Sequence, residues 1–447
     1  MSFDPEALAS RFTALEGRIG TPSRYVIAFS GGLDSTALAH CVIAMCQQDP
    51  QFSARDILLL HVDHGLHTDS AAWSKRCAAF AAAHNTAFRS LAVCVLENAG
   101  KGLEAAARDA RYSAMRAELR AGDWLLSAHH ADDQAETLLL NMLRGSGAAG
   151  LAGIAEARPM GPAWLVRPLL SLEQSVIREY AQSTALNWID DPSNDERRFD
   201  RNFLRHEVLP IMARRWPDVA QRLQRSAAYA GEASELMQDL ARADLQTLGG
   251  RATKLPLDGL SRLSTARQKN LIRFALRDLR LPAPTAVSLE RVLNEVIAAR
   301  VDAQPEVCWP GAVVRRYRNT LYLMPELPAD APLEMPFSGR SQSLPAGCGT
   351  LKLSHDGEPG LSESVLNAGL VIRSRGGGEE IKPFGQPHTR KLKKLLQEEG
   401  VVPWMRDRLP LLYSDGRLVA VADLWLADDA VSTPGASVHW IDRPALH

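Results

Sequence analysis

The sequence predicts an α/β protein in which a parallel-sheet domain is followed by a helical domain and a small α+β domain. Strand and helix patterns alternate over roughly the first 170 residues, which is typical of a parallel sheet with helices on both faces. Charged helical patterns then run from 208 to 301, and short β-like runs follow a segment with four prolines at 325–336. At about 150 residues per domain, a chain of 447 residues predicts three domains. We place them at 1–215, 216–325 and 337–447.

Four apolar runs in the first domain are typical of buried strands. They lie at 24–29, 56–61, 88–95 and 123–127, and helix patterns follow them at 36–45, 71–83, 103–119 and 132–143. In an open parallel sheet, ligands bind beyond the carboxyl ends of the strands. We therefore expect the functional residues just after each strand.

Composition and charge exclude several classes of protein. The six cysteines include no C-x-x-C pair, which argues against a zinc ribbon, an iron–sulfur cluster and a thiol-relay site. No apolar run reaches about 18 residues, and the first residues, MSFDPEALASRF, lack the apolar stretch of a signal peptide. We therefore expect a cytoplasmic protein without a membrane partner. A net charge of −1 excludes a uniformly basic nucleic-acid binder but leaves room for local basic patches.

A glycine-rich segment after the first predicted strand predicts an anion site. Paired glycines let the backbone approach a ligand closely, and free N–H groups at the start of the next helix attract phosphate. The carboxylate of Asp34 beside a phosphate predicts a nearby Mg²⁺ ion. The pattern G-x-x-x-x-G-K-[ST] is absent, so attack at the α-phosphate with release of pyrophosphate fits better than γ-phosphate transfer. The candidate ATP-binding segment consists of Ser30, Gly31, Gly32, Leu33, Asp34 and Ser35.

This segment resembles the phosphate-binding loop of the PP-loop ATP pyrophosphatases, whose fold is adenine nucleotide alpha hydrolase-like. Further motifs follow in order and are similar to those of the tRNA(Ile)-lysidine synthetase family. They are HVDHGL at 61–66, AHHADDQAET at 128–137, RGSG at 144–147, GL at 150–151, RPL at 167–169, DPSN at 191–194, RN at 201–202, RSR at 373–375, RKLKKL at 390–395, PW at 403–404 and RLP at 408–410. Residues from about 220 to 340 match the family only weakly.

The resemblance implies an ATP-dependent enzyme that acts on an isoleucine tRNA with a CAU anticodon. The 2-carbonyl oxygen of the wobble cytidine would attack the α-phosphate of ATP, and pyrophosphate would leave. The ε-amine of free L-lysine would then displace AMP to give lysidine, which switches codon reading from AUG to AUA and tRNA identity from methionine to isoleucine. ATP and Mg²⁺ are the implied cofactors. The sequence leaves the oligomeric state open between a monomer and a homodimer.

Acidic residues on the predicted helix at 132–143 are the candidate lysine ligands. Side chains three residues apart on a helix are neighbours, so Asp133 and Glu136 could bracket one ammonium group. A carboxylate there must also help to remove a proton, because an ammonium is no nucleophile. Asp132 fits equally well as a helix-start acid that the macrodipole stabilises. His129, after the fourth strand, is a candidate donor to a phosphate or to the transition state, and a structural histidine is the alternative.

Arginines complete the predicted site. Planar guanidinium groups bind phosphate or carboxylate oxygens in pairs. The resemblance implies roles near lysine and the activated base for Arg108, Arg111 and Arg201, whereas exposed helix charge is the alternative. The catalytic candidates are thus Asp34, His129, Asp133, Glu136 and Arg201, and the lysine-binding candidates are Asp133, Glu136, Arg108 and Arg111.

Six basic residues of the C-terminal domain are candidate tRNA ligands. The pattern at 391–396 predicts a helix whose leucines pack inward and whose lysines face solvent, and a merely solvated face is the common alternative. Two glutamates, Glu379 and Glu380, stand where the family pattern is more basic. The six candidates are Arg373, Arg375, Arg390, Lys391, Lys393 and Lys394.

Two other functions stay open at this point. A sulfur transferase of the PP-loop class would commonly use C-x-x-C pairs or a catalytic cysteine near the loop, and this chain lacks them. A non-catalytic RNA-binding protein on a decayed nucleotide-binding fold should have lost a loop serine or aspartate, yet both are present. His61, His64 and His67 share a three-residue spacing, but no cysteine lies nearby, and we predict no zinc site.

Overall fold

The computed structural model describes residues 2–63, 65, 70–93, 103–192, 196–300, 303–329, 333–338, 340–345, 347–355 and 357–446. The chain divides into two compact units, Met1–Met237 and Gln238–His447. Our three domain boundaries stay a prediction. Within the described residues, no helix has both the length and the apolar character needed to cross a membrane.

A six-stranded sheet runs through the first unit. Its strands are β1 (Arg24–Ala28), β2 (Asp56–Asp63), β3 (Ala87–Ala92), β4 (Asp123–Leu126), β5 (Ala157–Met160) and β6 (Ala163–Val166). The strand order is β3-β2-β1-β4-β6-β5, in which β5 is antiparallel to β6 and the other neighbours are parallel. The predicted α/β fold class with a parallel sheet is therefore confirmed.

Helices cover this sheet on both faces. The helices of this unit are α1 (Pro5–Ile19), α2 (Leu33–Gln48), α3 (Ser70–Ala83), α4 (Leu103–Glu118), α5 (Ala131–Leu143), α6 (Ala148–Leu151), α7 (Gln174–Ser183), α8 (Asp200–Phe203) and α9 (Leu209–Arg215), with α10 (Val219–Thr247) continuing into the second unit. The sheet has a hydrophobic core on each face, and consecutive residues of β1 belong to different cores. Ile27 packs with residues of α1, α2 and α7, whereas Val26 packs with Met115 of α4. A strand buried on both faces requires the continuous apolar run that the sequence shows.

The strand order reverses beside β1. The chain proceeds from β1 through β2 to β3 on one side and then returns to place β4 on the other side of β1. The loops after β1 and β4 therefore diverge from neighbouring strand ends, and such a switch point is where open α/β sheets bind ligands. These two loops carry Ser30 and His129.

The part of the second unit up to residue 325 contains helices and a small sheet. Its helices are α11 (Leu257–Leu260), α12 (Thr265–Asp278) and α13 (Ala286–Arg291), and a π-helical turn, Val292–Ile297, follows α13. Its strands are β7 (Lys254–Pro256), β8 (Glu306–Trp309), β9 (Ala312–Tyr317) and β10 (Thr320–Met324), in the antiparallel order β7-β10-β9-β8. The helical character is confirmed, whereas this four-stranded sheet was not predicted.

The remainder of the second unit is the expected α+β structure. Its strands are β11 (Glu334–Phe337), β12 (Ser341–Ser343), β13 (Thr350–Ser354), β14 (Gly360–Leu361), β15 (Leu370–Arg373), β16 (Glu380–Ile381), β17 (Arg390–Lys391), β18 (Leu411–Ser414), β19 (Arg417–Val421), β20 (Trp425–Leu426), β21 (Val431–Ser432) and β22 (Ser437–Ile441). Its helices are α14 (Glu363–Asn367), α15 (Leu392–Glu399) and α16 (Pro403–Arg406), with a 3₁₀ turn at Asp428–Ala430. The expected strands near 351, 370 and 417 are confirmed. The end of the proline-rich segment is itself a strand, because β11 pairs with β15.

Candidate active site

The segment between β1 and α2 is built to receive an anion. Ser30 Oγ lies 3.0 Å from Ser35 Oγ and accepts a hydrogen bond from the backbone N–H of Gly32 at 3.3 Å. Ser35 Oγ in turn donates to the carbonyl of Gly32 at 3.0 Å. Gly32 is the N-cap of the 16-residue helix α2, and no side chain caps this end. The helix thus presents its first N–H groups and two hydroxyl groups at the sheet edge, as phosphate binding requires.

Gly31 holds this loop against two other elements. Its φ of +81° lies in the left-handed region that favours glycine. A Cβ at this position would lie 2.8 Å from Cys77 Sγ and 2.8 Å from Ile189 Cδ1. The carbonyl of Gly31 accepts a hydrogen bond from the backbone N–H of Ile189 at 2.8 Å. A side chain here would therefore displace the loop.

Three carboxylates surround the buried ring of His130, and we call these four residues the His130 cluster. The Nε2 atom of His130 lies 3.6 Å from Asp34 Oδ2 and 3.5 Å from Asp133 Oδ2. Its Nδ1 atom lies 3.3 Å from Asp132 Oδ2, an ion-pair distance without hydrogen-bond alignment. The His130 side chain is 2% exposed. The cluster therefore joins the first turn of α2 to the first turn of α5 through one shared cation.

The charges in this cluster follow from its geometry. Burial acts to lower the pKa of His130, but Asp133, Asp132 and Asp34 outweigh it and raise that pKa to about 10. Burial acts to raise the pKa of Asp133, but His130 and Arg201 hold that pKa below its usual value. His130 is thus an imidazolium at neutral pH, paired with the ionised carboxylates of Asp132 and Asp133.

Gln174, at the start of α7, ties the cluster together. Its side-chain Nε2 donates to both oxygens of Asp34, at 3.4 and 3.3 Å, and its backbone N–H donates to Asp132 Oδ2 at 2.9 Å. Asp132 thus satisfies an N–H group at the start of another helix, besides lying in the first turn of its own. The helix-start interpretation of Asp132 agrees with its place in the first turn of α5, a role at the lysine site stays a prediction, and the structure adds the contact to His130.

His129 has the opposite electrostatic character from its neighbour. Its Nδ1 atom lies 2.6 Å from Ser127 Oγ, and its ring is partly buried. Burial lowers the pKa of His129 well below its usual value, and Arg167, Arg201 and Arg108 lower it further against the effect of Asp133. A neutral imidazole donates or accepts a hydrogen bond but brings no positive charge. The role of His129 as a hydrogen-bond donor stays a prediction. A neutral ring would fill that role through a hydrogen bond and not through a positive charge.

Glu136 is fully buried and paired with two arginines. Arg205 Nε donates to Glu136 Oε1 at 2.6 Å and Arg205 Nη2 to Oε2 at 3.2 Å, and Arg201 Nε lies 3.1 Å from Oε2. Arg205 also reaches Asp133 Oδ1 at 3.2 Å, which links this group to the His130 cluster. Burial raises the pKa of Glu136 above its usual value even with both arginines present. Arg201 lies on the short helix α8 and Arg205 on the π-helical turn Leu204–Val208 that follows it, not in an open polar loop.

Arg108 and Arg111 lie on α4 around an aromatic ring. The guanidinium carbons of the two residues stand 5.6 and 5.7 Å from the ring centroid of Tyr112, and Arg158 stands 5.8 Å from it. Burial acts to raise the pKa of Tyr112, but Arg108, Arg167 and Arg111 outweigh it and lower that pKa. Positive charge is therefore concentrated near His129, as an anionic group of a substrate requires. The binding of substrate L-lysine by Arg108 and Arg111 stays a prediction.

Comparisons with known proteins identify the family. A family model described as a PP-loop domain matches residues 6–212, a TilS substrate binding domain matches 255–322, and a TilS substrate C-terminal domain matches 370–440. A tRNA(Ile)-lysidine synthase of Alkalilimnicola ehrlichii is 40% identical over 96% of this chain and 95% of its own length. That of Methylococcus capsulatus is 40% identical over 94% of this chain and 96% of its own. The chain belongs to the tRNA(Ile)-lysidine synthase (or synthetase) family.

Membership of this family makes the chain an ATP-dependent ligase with a PP-loop domain, as the resemblance predicted. Among solved structures, the U34-tRNA thiolase NcsA from Methanococcus maripaludis is 14% identical with a TM-score of 0.39, and the match covers 50% of this chain and 79% of that one.

The C-terminal basic residues of this chain divide into two groups. Each arginine is paired within the second unit: Arg373 with Glu334 at 3.0 Å, Arg375 with Glu379 at 3.3 Å and Arg390 with Glu398 at 2.6 Å. The lysines are exposed, and no ion pair joins them to a residue in the described part of the chain. The predicted helix is confirmed as α15, whose leucines are buried. The exposed lysines are Lys391, Lys393 and Lys394.

The two unexpected glutamates, Glu379 and Glu380, have structural contacts. Glu379 accepts backbone N–H groups of Gly376 at 2.6 Å and Gly377 at 2.7 Å, and it pairs with Arg375. Glu380 lies opposite Lys391 in the β16–β17 pair. Glu379 thus closes a glycine turn, and its charge is used inside the fold.

Sequence reasoning missed His130, Arg205 and Gln174. Arg205 follows Arg201 by four residues, a spacing that places both on one helix face and could have been recognised. His130 adjoins His129, and only the approach of Asp34 from another helix shows which ring keeps its proton. Among the histidines with three-residue spacing, His61 is buried with Nδ1 at 2.9 Å from the carbonyl of Phe29, whereas His64 and His67 lie outside the described residues.

Proposed function

We propose that this enzyme ligates L-lysine to the 2-position of the wobble cytidine of a CAU-anticodon isoleucine tRNA, through an adenylated cytidine. The names of its relatives support the reaction class. The observation that carries the proposal is the contact between a phosphate-binding loop and a carboxylate cluster. Asp34 belongs to the loop and lies 3.6 Å from His130, which the carboxylates on α5 also contact. An enzyme that activates with ATP and then binds a cationic amine needs both sites adjacent.

In the first step, the ATP phosphates lie at the start of α2. The cytidine O2 atom forms a bond to the α-phosphorus, the bond from that phosphorus to the bridging oxygen breaks, and pyrophosphate leaves. The helix N–H groups and the hydroxyls of Ser30 and Ser35 bind the phosphate oxygens. His129, being neutral, donates a hydrogen bond to a phosphate or to the reacting oxygen. Arg201 lies within the same set of charges and can stabilise the developing negative charge.

The residues present also fit one Mg²⁺ ion. Magnesium is commonly bound by one or two carboxylates together with substrate phosphates and water. The Asp34 carboxylate is 27% exposed and stands in the first turn of α2, beside the loop. When bound there, the ion would neutralise charge on the phosphates. Asp34 is the residue of this chain that would hold it.

In the second step, the lysine ε-amine forms a bond to C2 of the activated cytidine. The bond from C2 to the former carbonyl oxygen breaks, and AMP leaves with that oxygen. The amine must first lose a proton, which a carboxylate of the His130 cluster or Glu136 accepts. Asp133 and Glu136 attract the ammonium group, and Arg108 and Arg111 attract the lysine carboxylate. Because Glu136 is already paired with Arg205 and Arg201, Asp133 is the more accessible ammonium ligand, with its side chain 14% exposed.

The tRNA is held in part by the second unit. Lys391, Lys393 and Lys394 stand at the start of α15, where the helix macrodipole already adds positive potential. Cations at the start of a helix destabilise the helix unless an anion binds there. We assign 1–215 to catalysis, 216–325 to a helical middle domain and 337–447 to a C-terminal tRNA-binding domain.

One assay tests the reaction and separates it from the alternatives. We expect pyrophosphate exchange into ATP that depends on the CAU-anticodon tRNA, and release of AMP when L-lysine is added. A matched tRNA with uridine at the wobble position is the control. Exchange with that control, or a requirement for sulfide in place of lysine, would show that the enzyme has a different substrate. Absence of both activities would overturn the proposal.

A further inference from the structure

An exposed aromatic residue stands in the hairpin loop that precedes the three exposed lysines in the chain. Strands β16 and β17 pair antiparallel, with Glu380 opposite Lys391 and Ile381 opposite Arg390. The hairpin loop, residues 382–389, connects them and contains Phe384, which is 51% exposed. In the described part of the chain after residue 300, only Phe384 and Ile441 expose a large hydrophobic side chain.

The hairpin loop is fixed by its backbone while the Phe384 ring faces solvent. The backbone N–H of Phe384 donates to the carbonyl of Leu426 at 2.8 Å, and that of Gln386 donates to the carbonyl of Pro383 at 2.9 Å. Lys382 Nζ lies 2.6 Å from Asp428 Oδ2, and the backbone N–H of Asp428 donates to the carbonyl of Lys382 at 2.9 Å. A ring presented on a fixed backbone loses little conformational entropy when a ligand covers it.

Three exposed lysines follow this ring closely along the chain. Arg390 is the first residue of β17 after the hairpin loop, Lys391 is the second, and Lys393 and Lys394 lie in the first turn of α15 immediately after it. Arg390, by contrast, is neutralised by Glu398. The hairpin and the start of α15 therefore combine one free aromatic face with three exposed ammonium groups. Proteins bind single-stranded nucleic acid through this combination, since bases stack on the ring and phosphates meet the cations.

We propose that Phe384 stacks on an unpaired base of the tRNA, while Lys391, Lys393 and Lys394 contact the phosphates beside that base. The proposal rests on the proposed function, in which tRNA is the substrate. Sequence-specific and stacking contacts to RNA fall on loops, bulges and ends, where bases are free. Stacking on a phenyl ring tolerates any base, so Phe384 positions the tRNA and takes no part in the chemistry.

The test is binding of the CAU-anticodon tRNA to the full-length protein at several salt concentrations. Phe384→Ala should raise Kd by about 5- to 150-fold, the range for loss of one base–aromatic stack. The slope of log Kd against log salt should not change, because no ionic contact is lost. Phe384→Trp should bind tRNA as tightly as the parent. Phe384→Leu should bind as weakly as Phe384→Ala, because leucine is apolar but has no ring. Ile441→Ala, which removes the other exposed hydrophobic side chain, should bind like the parent, and thermal melting checks that each variant is folded.

The outcomes separate this inference from the proposed function. If replacing the three lysines changes the salt dependence of tRNA binding while folded Phe384→Ala binds as tightly as the parent, stacking is refuted. That result leaves the proposed function standing. Equal affinity of Phe384→Leu and the parent also refutes stacking. If the parent shows no preference for tRNA over duplex RNA and no lysine-dependent AMP release, the proposed function itself falls.

Discussion

Replacing His130 by glutamine should remove a cation on which three carboxylates depend. The His130 ring is 2% exposed, and Asp34, Asp132 and Asp133 each place an oxygen 3.3–3.6 Å from one of its nitrogens. Glutamine has a similar reach and can still donate one hydrogen bond, but it carries no charge. The variant therefore leaves the packing nearly intact and removes mainly the electrostatic stabilisation.

The magnitude follows from the pKa of His130, which its three acidic neighbours raise to about 10 in the folded chain. Against about 6.5 in the unfolded chain, at about 1.4 kcal/mol per pKa unit, the protonated ring stabilises the fold by up to about 4 kcal/mol at pH 7. Because the folded pKa is raised, this stabilisation is fully present below pH 6.5 and is lost as pH rises towards 10. It should fall to about 1.4 kcal/mol at pH 9.

Urea unfolding of both proteins at pH 7, 8 and 9, with a chelator and without nucleotide, measures the difference. We expect the advantage of the parent over His130→Gln to shrink by about 1.3 kcal/mol per pH unit. The matched control is His129→Gln, because burial already keeps that ring neutral over this range, and its difference from the parent should not change with pH. A pH-independent difference for His130→Gln would show that the ring is neutral and that the cluster is organised in another way.

Three further predictions concern the loop, the buried ion pair and the lysines. Ser35→Ala and Asp34→Ala should abolish AMP formation while leaving the melting temperature within a few degrees of the parent, and normal turnover in either would contradict the phosphate-binding assignment. Arg205→Ala should lower the free energy of unfolding by about 3–5 kcal/mol, because the fully buried Glu136 then loses its bidentate partner. Chemical denaturation measures this loss, and the double variant Arg205→Ala, Glu136→Gln should recover part of it. Simultaneous replacement of Lys391, Lys393 and Lys394 by alanine should weaken tRNA binding and lower the slope of log Kd against log salt concentration by about 2–3. AMP formation at saturating tRNA should be nearly unchanged. An unchanged slope in binding isotherms would exclude these contacts.

Much of the geometry of the candidate phosphate site could be predicted because it is local. Glycines followed by a helix start dictate where N–H groups point, and the strand pattern around them predicted the sheet edge. The neighbouring positions of Asp133 and Glu136 also followed from the helix repeat. Which charges neutralise each other did not follow, because Asp34, Gln174 and Arg205 come from segments far apart in the chain.

The missed sheet of the middle segment has a different physical cause. Its strands have only three to six residues, and β8 carries an exposed glutamate and an exposed cysteine. Such short runs give too few periods to distinguish alternation from a helical repeat. Pairing in this sheet depends on Leu321 and Val314, which are buried against α12 and α13 in one cluster. Tertiary packing therefore decides the structure here.

Among the direct contacts at the proposed lysine site, carboxyl groups outnumber basic side chains by one. Asp34, Asp132, Asp133 and Glu136 are the four carboxyl groups, and His130, Arg201 and Arg205 are the three basic side chains in contact with them. One ammonium group balances this set, which favours lysine binding as the cation and opposes its deprotonation until the activated cytidine is in place. Loss of the His130 charge raises the imbalance to two. His130→Gln should therefore lower the KM for lysine while lowering kcat, because a more strongly held ammonium gives up its proton less readily, whereas an increase in KM would place the ammonium away from this cluster.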